Sequence, residues 1–250
     1  MESREDIFKH FYSTFPSVAD GRFHILEHRV PVEQQLEYFI YARRLRKKSR
    51  KIKDVEYNRY REKLVNVELP KEEKKKILAI LASSSEVRAY RLLEQYVQEP
   101  DEELANWASM ALMESRIMIE SELSGERQIY ISSGLGGKEG KMRFYVLIPS
   151  TQKTPFKAYQ REVIEKEFGY NLSKNDCEIE RLTVKDHYVE LVFLIPMPVD
   201  IRKILEIVIV ECNVYGNFLS EIFTVTNVKE LTQDEVNQVL KDYRKRFKIR

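Results

Sequence analysis

The stretch SGERQIYISSGLGGKEGKMRFYVLIP, residues 124–149, decides the fold, because the hydrophobic period changes inside it. Before Gly125, apolar residues recur every three to four positions, the spacing of one helical face. After it the period falls to two. Gln128 to Ser133 reads as a strand, Gly134 to Lys141 as a flexible loop, and Arg143 to Pro149 as a second strand. The chain therefore divides into a helical part, residues 1–125, and an α+β part, residues 126–250.

Downstream, Thr154-Pro155 opens a helix as N-cap and first residue, with Phe156, Tyr159, Val163, Ile164 and Phe168 on one face and Gly169 closing it. Cys177 to Val184 and Tyr188 to Ile195 follow as strands joined by a turn at Lys185-Asp186-His187. Val199 to Tyr215 is rich in β-branched residues from Ile204 to Val210, which suits a strand. Its length favours a helix that ends at Gly216. Leu219 to Val228 supplies another strand. Asp234 to Phe247 is a final helix with Val236, Val239, Leu240, Tyr243 and Phe247 inward. From residue 143 onward the order is β-α-β-β-α-β, the ferredoxin-like order, preceded by one extra hairpin strand. Such a fold does not by itself specify chemistry.

Upstream, Ile7, Phe8, Phe11, Tyr12 and Phe15 share a helical face over residues 5–15, which Pro16 ends. A turn follows at Asp20-Gly21. Pro31 to Lys48 reads as a helix with Leu36, Phe39, Ile40 and Leu45 inward. Lys71 to Ala82 buries Ile77, Leu78, Ile80 and Leu81, and Ser85 caps a helix running to about Val97. After Glu99-Pro100-Asp101, a third helix carries Leu104, Trp107, Ala108, Ala111, Leu112, Ser115, Ile119 and Leu123 in one stripe. The small residues at 108 and 111 permit close helix approach.

Three pieces of this region, Val87-Arg-Ala-Tyr-Arg-Leu-Leu, the Pro100-Asp101 turn and Trp107-Ala-Ser-Met-Ala-Leu, resemble a HEAT-type helical repeat with parts of a neighbour. The resemblance covers about 50 residues and implies stacked, paired helices. A generic helical bundle is the alternative. The chain as a whole also resembles bacterial proteins that join such a helical half to a Gly-rich hairpin, a resemblance that implies no activity.

Hydrophobic residues make up 43% and charged residues 33% of the chain, the balance of a soluble globular protein. A net charge of +2 hides segregation. Arg43 to Lys53 holds eight basic and no acidic residues, whereas Glu86 to Glu126 holds ten acidic and three basic ones. Such a dipolar surface suits docking onto a partner. Cys177 and Cys212 are too few for a disulfide framework and lack metal-ligand spacing, so reduced thiols are expected. The N-terminus lacks the basic and apolar regions of a signal peptide, and Pro196 and Pro198 break the most apolar run. A cytoplasmic protein with no membrane contact is expected.

Several motifs invite chemistry. His24-Ile-Leu-Glu27-His28 matches the H-x-x-E-H zinc pattern, yet Gly21 and Val30-Pro31 leave little room for the helix it requires. Gly134 to Lys141 invites a phosphate-loop reading, but Met142 stands where a metal-binding hydroxyl is needed and a strand follows instead of a helix. A mobile hairpin tip is one reading of this loop. A contact loop, in which Lys138, Lys141 and Arg143 meet phosphate or an acidic protein face, is the other. The run Arg43, Arg44, Arg46, Lys47, Lys48, Arg50 and Lys51 is the foremost anion-binding candidate, with Tyr57 and Tyr60 close enough to place aromatic rings beside cations. A solvated helix end, or pairing with the chain's own acidic segment, are its alternatives. RNA-recognition aromatic signatures are not evident on the strands.

These readings lead to a recognition protein whose partner is RNA, a ribonucleoprotein or an acidic protein surface, with no catalytic residue, metal or cofactor assigned. An oligomeric scaffold is a second class. A phosphate-handling or small-molecule enzyme built on Gly134 to Lys141 is a third.

Overall fold

The computed structural model describes residues 22–46, 52–126, 128–152 and 154–247. The helix expected over residues 5–15 and the turn at Asp20-Gly21 lie outside them. The fold is α+β with an antiparallel sheet. Two compact units divide the chain, a helical one built chiefly from Glu33–Ile131 and a sheet unit built from Ile25–Val32 and everything after Ile131. A separate two-stranded sheet pairs β1 (Arg22–Ile25) with β2 (Gln128–Ile131).

In the helical unit, α1 (Val32–Arg46) and α2 (Asp54–Val65) precede three helices that pack on one another. Pro70 sets the entry of α3 (Lys71–Ala82), its φ of −56° lying close to the helical value. The next helix, α4 (Val87–Gln98), begins after Glu86 and not after a Ser85 cap; the Glu86 amide instead donates to Ser84 Oγ at 3.3 Å. A 3-10 turn, Glu102–Leu104, leads into α5 (Ala105–Ser124), which Gly125 ends with a left-handed φ of 65°. Fully buried Ala108 and Ala111 let α5 lie close to both α3 and α4, over Leu78, Leu81 and Leu93. The stripe does not extend to Leu123, which is exposed.

The sheet unit runs β3 (Gly137–Lys138), β4 (Lys141–Pro149), α6 (Ala158–Lys174), β5 (Glu178–Val184), β6 (Tyr188–Pro196), α7 (Ile201–Asn213), β7 (Thr224–Thr226) and α8 (Gln233–Arg246). Every strand pair is antiparallel. β6 lies between β4 and β5, while β3 and β7 both pair with β4. Strand alternation puts Tyr145, Leu147 and Val192 on one face, where they pack against Leu135 and against Val236 and Leu240 of α8. Phe144, Val146 and Ile148 alternate with them on the opposite face and are also buried.

Three expectations change here. The extra strand before the β-α-β-β-α-β run, β2, pairs with β1, and the hairpin partner of β4 is instead the two-residue β3 inside the glycine stretch. Helix α6 starts at Ala158, after Lys157, and continues through Gly169 to Lys174. A mid-helix glycine costs about 1 kcal/mol, and the added turn offsets this by burying Leu172 completely. The strand expected over Leu219–Val228 contracts to β7 and a single bridge between Ser150 and Leu219. By contrast, the β-branched segment at 204–210 is helical, as its length predicts: Asp200 caps α7 by accepting from the Arg202 and Lys203 amides, and Ile204, Leu205, Val208, Ile209 and Cys212 are buried.

Candidate recognition surfaces

The basic run begins in the last turn of α1, where Arg43, Arg44 and Arg46 complement the helix dipole. Lys47, Lys48, Arg50 and Lys51 lie outside the described residues. Arg46 is committed to its own unit: its guanidinium and the Tyr38 hydroxyl both donate to Glu114, a buried carboxylate on α5. Arg43 and Arg44 are exposed and form no ion pair among the described residues.

Helix α1 also turns a different face inward from the one its aliphatic residues suggest. Gln35, Tyr38 and Ala42 are buried, whereas Leu36 is 60% exposed and Phe39 and Ile40 are exposed as well. The aromatic ring of Tyr38 packs edge-on against Trp107 at 5.1 Å while its hydroxyl is satisfied by Glu114. Moving the buried face by one residue rotates it by about 100°, which places Leu36, Phe39 and Ile40 in solvent. The aromatics beside the basic run are less available than their spacing suggests. Tyr57 is buried and donates to Glu86, and Tyr60 is half-buried.

The glycine stretch is an internal passage of the sheet unit. Gly134, Leu135, Gly136 and Gly137 are all buried, and only Lys138 and the turn at Glu139-Gly140, with φ of 50° and 76°, are exposed. A Cβ on Gly134 would fall 1.8 Å from the Val228 carbonyl oxygen, and one on Gly136 would fall 2.4 Å from that of Glu27. Close backbone approach therefore explains these glycines. Their amides face carbonyls: Leu135 N donates to Asn227, Gly136 N to Ser133, and Gly137 N to Glu27.

Each cation of this hairpin meets an acid near or on β5. Lys138 lies 3.3 Å from Glu178, and Lys141 lies 2.9 Å from Asp176. Arg143, its side chain only 10% exposed, grips Glu180 through Nε and Nη2 and donates from Nη1 to the Leu135 carbonyl at 2.7 Å. A β-bulge produces this geometry, since the β5–β6 register jumps from Ile179 to Arg181 and leaves Glu180 as the extra residue. Arg181 then reaches Glu230, which also accepts from Arg29 at 2.8 Å. The result is a network of three arginines and two glutamates drawn from four separate stretches of sequence.

Titration follows from these contacts. The Arg143 bond holds the Glu180 carboxyl below the usual range. Burial pushes Glu230 up, but the bonds from Arg181 and Arg29 outweigh it, so its pKa is also lowered. Burial, then the hydrogen bond to Glu190, raises Tyr145. Sequence reasoning missed Arg29, Glu180 and Glu230, because neither a bulge nor a contact spanning 201 residues leaves a local signal.

The other motifs separate in space. His24 is on β1 with its Nε2 2.7 Å from Gln128 Oε1 and 2.9 Å from Glu120, while Glu27 lies in the following loop and accepts from the Glu139 amide. No helix aligns His24 with His28. Among the described residues no three metal-ligating side chains converge. Cys177 and Cys212 are buried free thiols whose pKa values burial pushes up to about 11 and about 12. Phe144 and Tyr145 belong to the core. No described helix is long and apolar enough to cross a membrane.

No family model matches the chain, and no curated protein matches it. Among solved structures, a REP-associated tyrosine transposase bound to a REP hairpin is 13% identical over 48% of this chain, with a TM-score of 0.33. The match spans 66% of that transposase, just under two thirds of its length. The C-terminal domain of the MgtC protein from Mycobacterium tuberculosis is 11% identical over 38% of this chain and 98% of its own, with a TM-score of 0.28. At these TM-scores neither likeness carries fold or function to this chain.

Proposed function

We propose that this chain is a non-enzymatic, cytoplasmic recognition protein that binds RNA or a ribonucleoprotein through the basic run at the end of α1. In this reading the helical unit is a HEAT-like stack and the sheet unit a ferredoxin-like scaffold. The close packing of α3, α4 and α5 supports the first description, and the position of β6 between β4 and β5 with β7 outside β4 supports the second. One observation carries the binding site: Arg43 and Arg44 are exposed and have no acidic partner among the described residues, whereas Lys138, Lys141 and Arg143 all do. The proposed contact therefore centres on the α1 run, with the already paired hairpin cations as a secondary patch.

The test is binding of the whole protein to mixed cellular RNA at low and moderate salt, beside an Arg43→Glu/Arg44→Glu variant. Expected is salt-sensitive binding that the variant loses, since each phosphate contact adds about 0.7 to the logarithmic salt slope on single strands. Absence of binding by either protein sinks the RNA reading. A second reading then leads, a protein partner with an acidic surface, which the exposed Leu36, Phe39 and Ile40 on the same helix favour.

A further inference from the structure

The helical unit also carries a trough between α2 and α4. Two clefts of 540 and 420 Å³ lie along it, and both are lined by Arg61, Leu92 and Gln95, so they are continuous. Leu64 and Leu92 form its apolar floor, and exposed Val65, Val67 and Val87 stand around it. Exposed valines scattered singly need no explanation, but four around one concave surface, Val55 being the fourth, form a binding wall.

The charges along the trough are unevenly satisfied. At one end the Lys74 ammonium, its side chain 3% exposed, donates to Asp101 at 2.7 Å, and Asp101 accepts from the Tyr96 hydroxyl as well. At the other end Arg88 meets Asp54 and Arg91 meets Glu94. Arg61, exposed in the shared middle, forms no ion pair among the described residues. A positive guanidinium fork thus stands over an aliphatic floor, flanked by pairs that already cancel and, at the Lys74 end only, by the carboxylate of Glu99, which is exposed and forms no ion pair among the described residues.

We propose that this trough binds an acidic-aliphatic peptide segment of a partner protein, with a carboxylate held by Arg61 and the adjacent aliphatic side chain seated between Leu64 and Leu92. A guanidinium matches a carboxylate through two parallel hydrogen bonds, and it is weakly hydrated enough to act beside apolar surface. The clefts run lengthwise along the helices, which suits an extended chain. Aliphatic walls give no platform for stacking bases, and Tyr57 and Tyr96 are buried, so the chemistry favours peptide over nucleic acid.

The experiment pans a displayed library of random heptapeptides on the full chain, then measures the fluorescein-labelled consensus peptide by polarisation. Arg61→Glu and Val65→Glu change exposed side chains, and circular dichroism checks that both variants fold. Expected is a consensus pairing Asp or Glu with Leu, Ile or Val, bound at least about tenfold more weakly by both variants and unchanged by Arg43→Glu. Arg61→Lys keeps the charge without the fork and falls between. The proposal is overturned by a consensus without an acid, by no consensus, by equal binding to Arg61→Glu, or by displacement of the peptide with oligouridine. None of these outcomes depends on whether the α1 run binds RNA.

Discussion

The hairpin cations and the α1 cations look alike in sequence and differ completely in surroundings. Lys138, Lys141 and Arg143 face Glu178, Asp176 and Glu180, acids that lie 35 to 40 residues away along the chain. Arg43 and Arg44 face solvent, with Arg46 between the extremes, exposed in part but tied to Glu114. A basic cluster is therefore a binding surface only where folding brings no counter-charge to it. Local composition reports the charge, and the topology decides who neutralises it.

The largest effect that separates the two regions should come from the glycine passage. Gly134→Ala must displace either its own loop or the Val228 backbone, and a loss of roughly 4 kcal/mol or more is expected in urea unfolding. Gly140→Ala, at a φ of 76° with open space around it, should cost only about 1 kcal/mol. Similar losses would mean the passage is not internal. Next, Glu180→Ala leaves the mostly buried Arg143 guanidinium without its carboxylate, and a loss of about 2 kcal/mol is expected.

Acid should probe the same network. Because folding lowers the pKa of Glu180, the unfolded chain binds its proton first as pH falls. Its contribution is complete above the unfolded value of about 4.3 and disappears as pH drops through the folded value. The pH dependence of stability below about pH 4 should therefore be shallower in Glu180→Ala than in the parent. The smallest effect belongs to α1, where the neutralising Arg43→Gln/Arg44→Gln should cost no more than about 1 kcal/mol, the loss of their interaction with the helix dipole. A larger loss would show that these arginines have structural partners and would remove the contrast.

The strands at 143–149 and 188–195 can be read because each is a long apolar run that the fold buries almost throughout, and the helix at 199–215 can be read from its length. Short β7 has three residues and no such run. The inward face of α1 is illegible for another reason. Aliphatic spacing selects Leu36 and Ile40, whereas the deciding contact is a tyrosine hydroxyl and a carboxylate 76 residues apart. Glycine at 134 and 136 suits a free loop and a tight backbone approach equally, so the sequence does not distinguish them. The basic run itself is plain in the sequence, while the trough around Arg61 depends on two helices whose facing residues lie about 30 apart.

The segment Ile25–Val32 belongs to the sheet unit although the whole of Glu33–Ile131 separates it from the rest. A fragment beginning at Ser132 would contain every strand of the main sheet and still lack the Glu27 carbonyl that receives Gly137 and the Arg29 guanidinium that holds Glu230. Cutting the chain where its period changes therefore yields an incomplete body. A synthetic peptide covering residues 22–33, added in trans, should bind such a fragment and raise its melting temperature, as a missing piece restored by complementation.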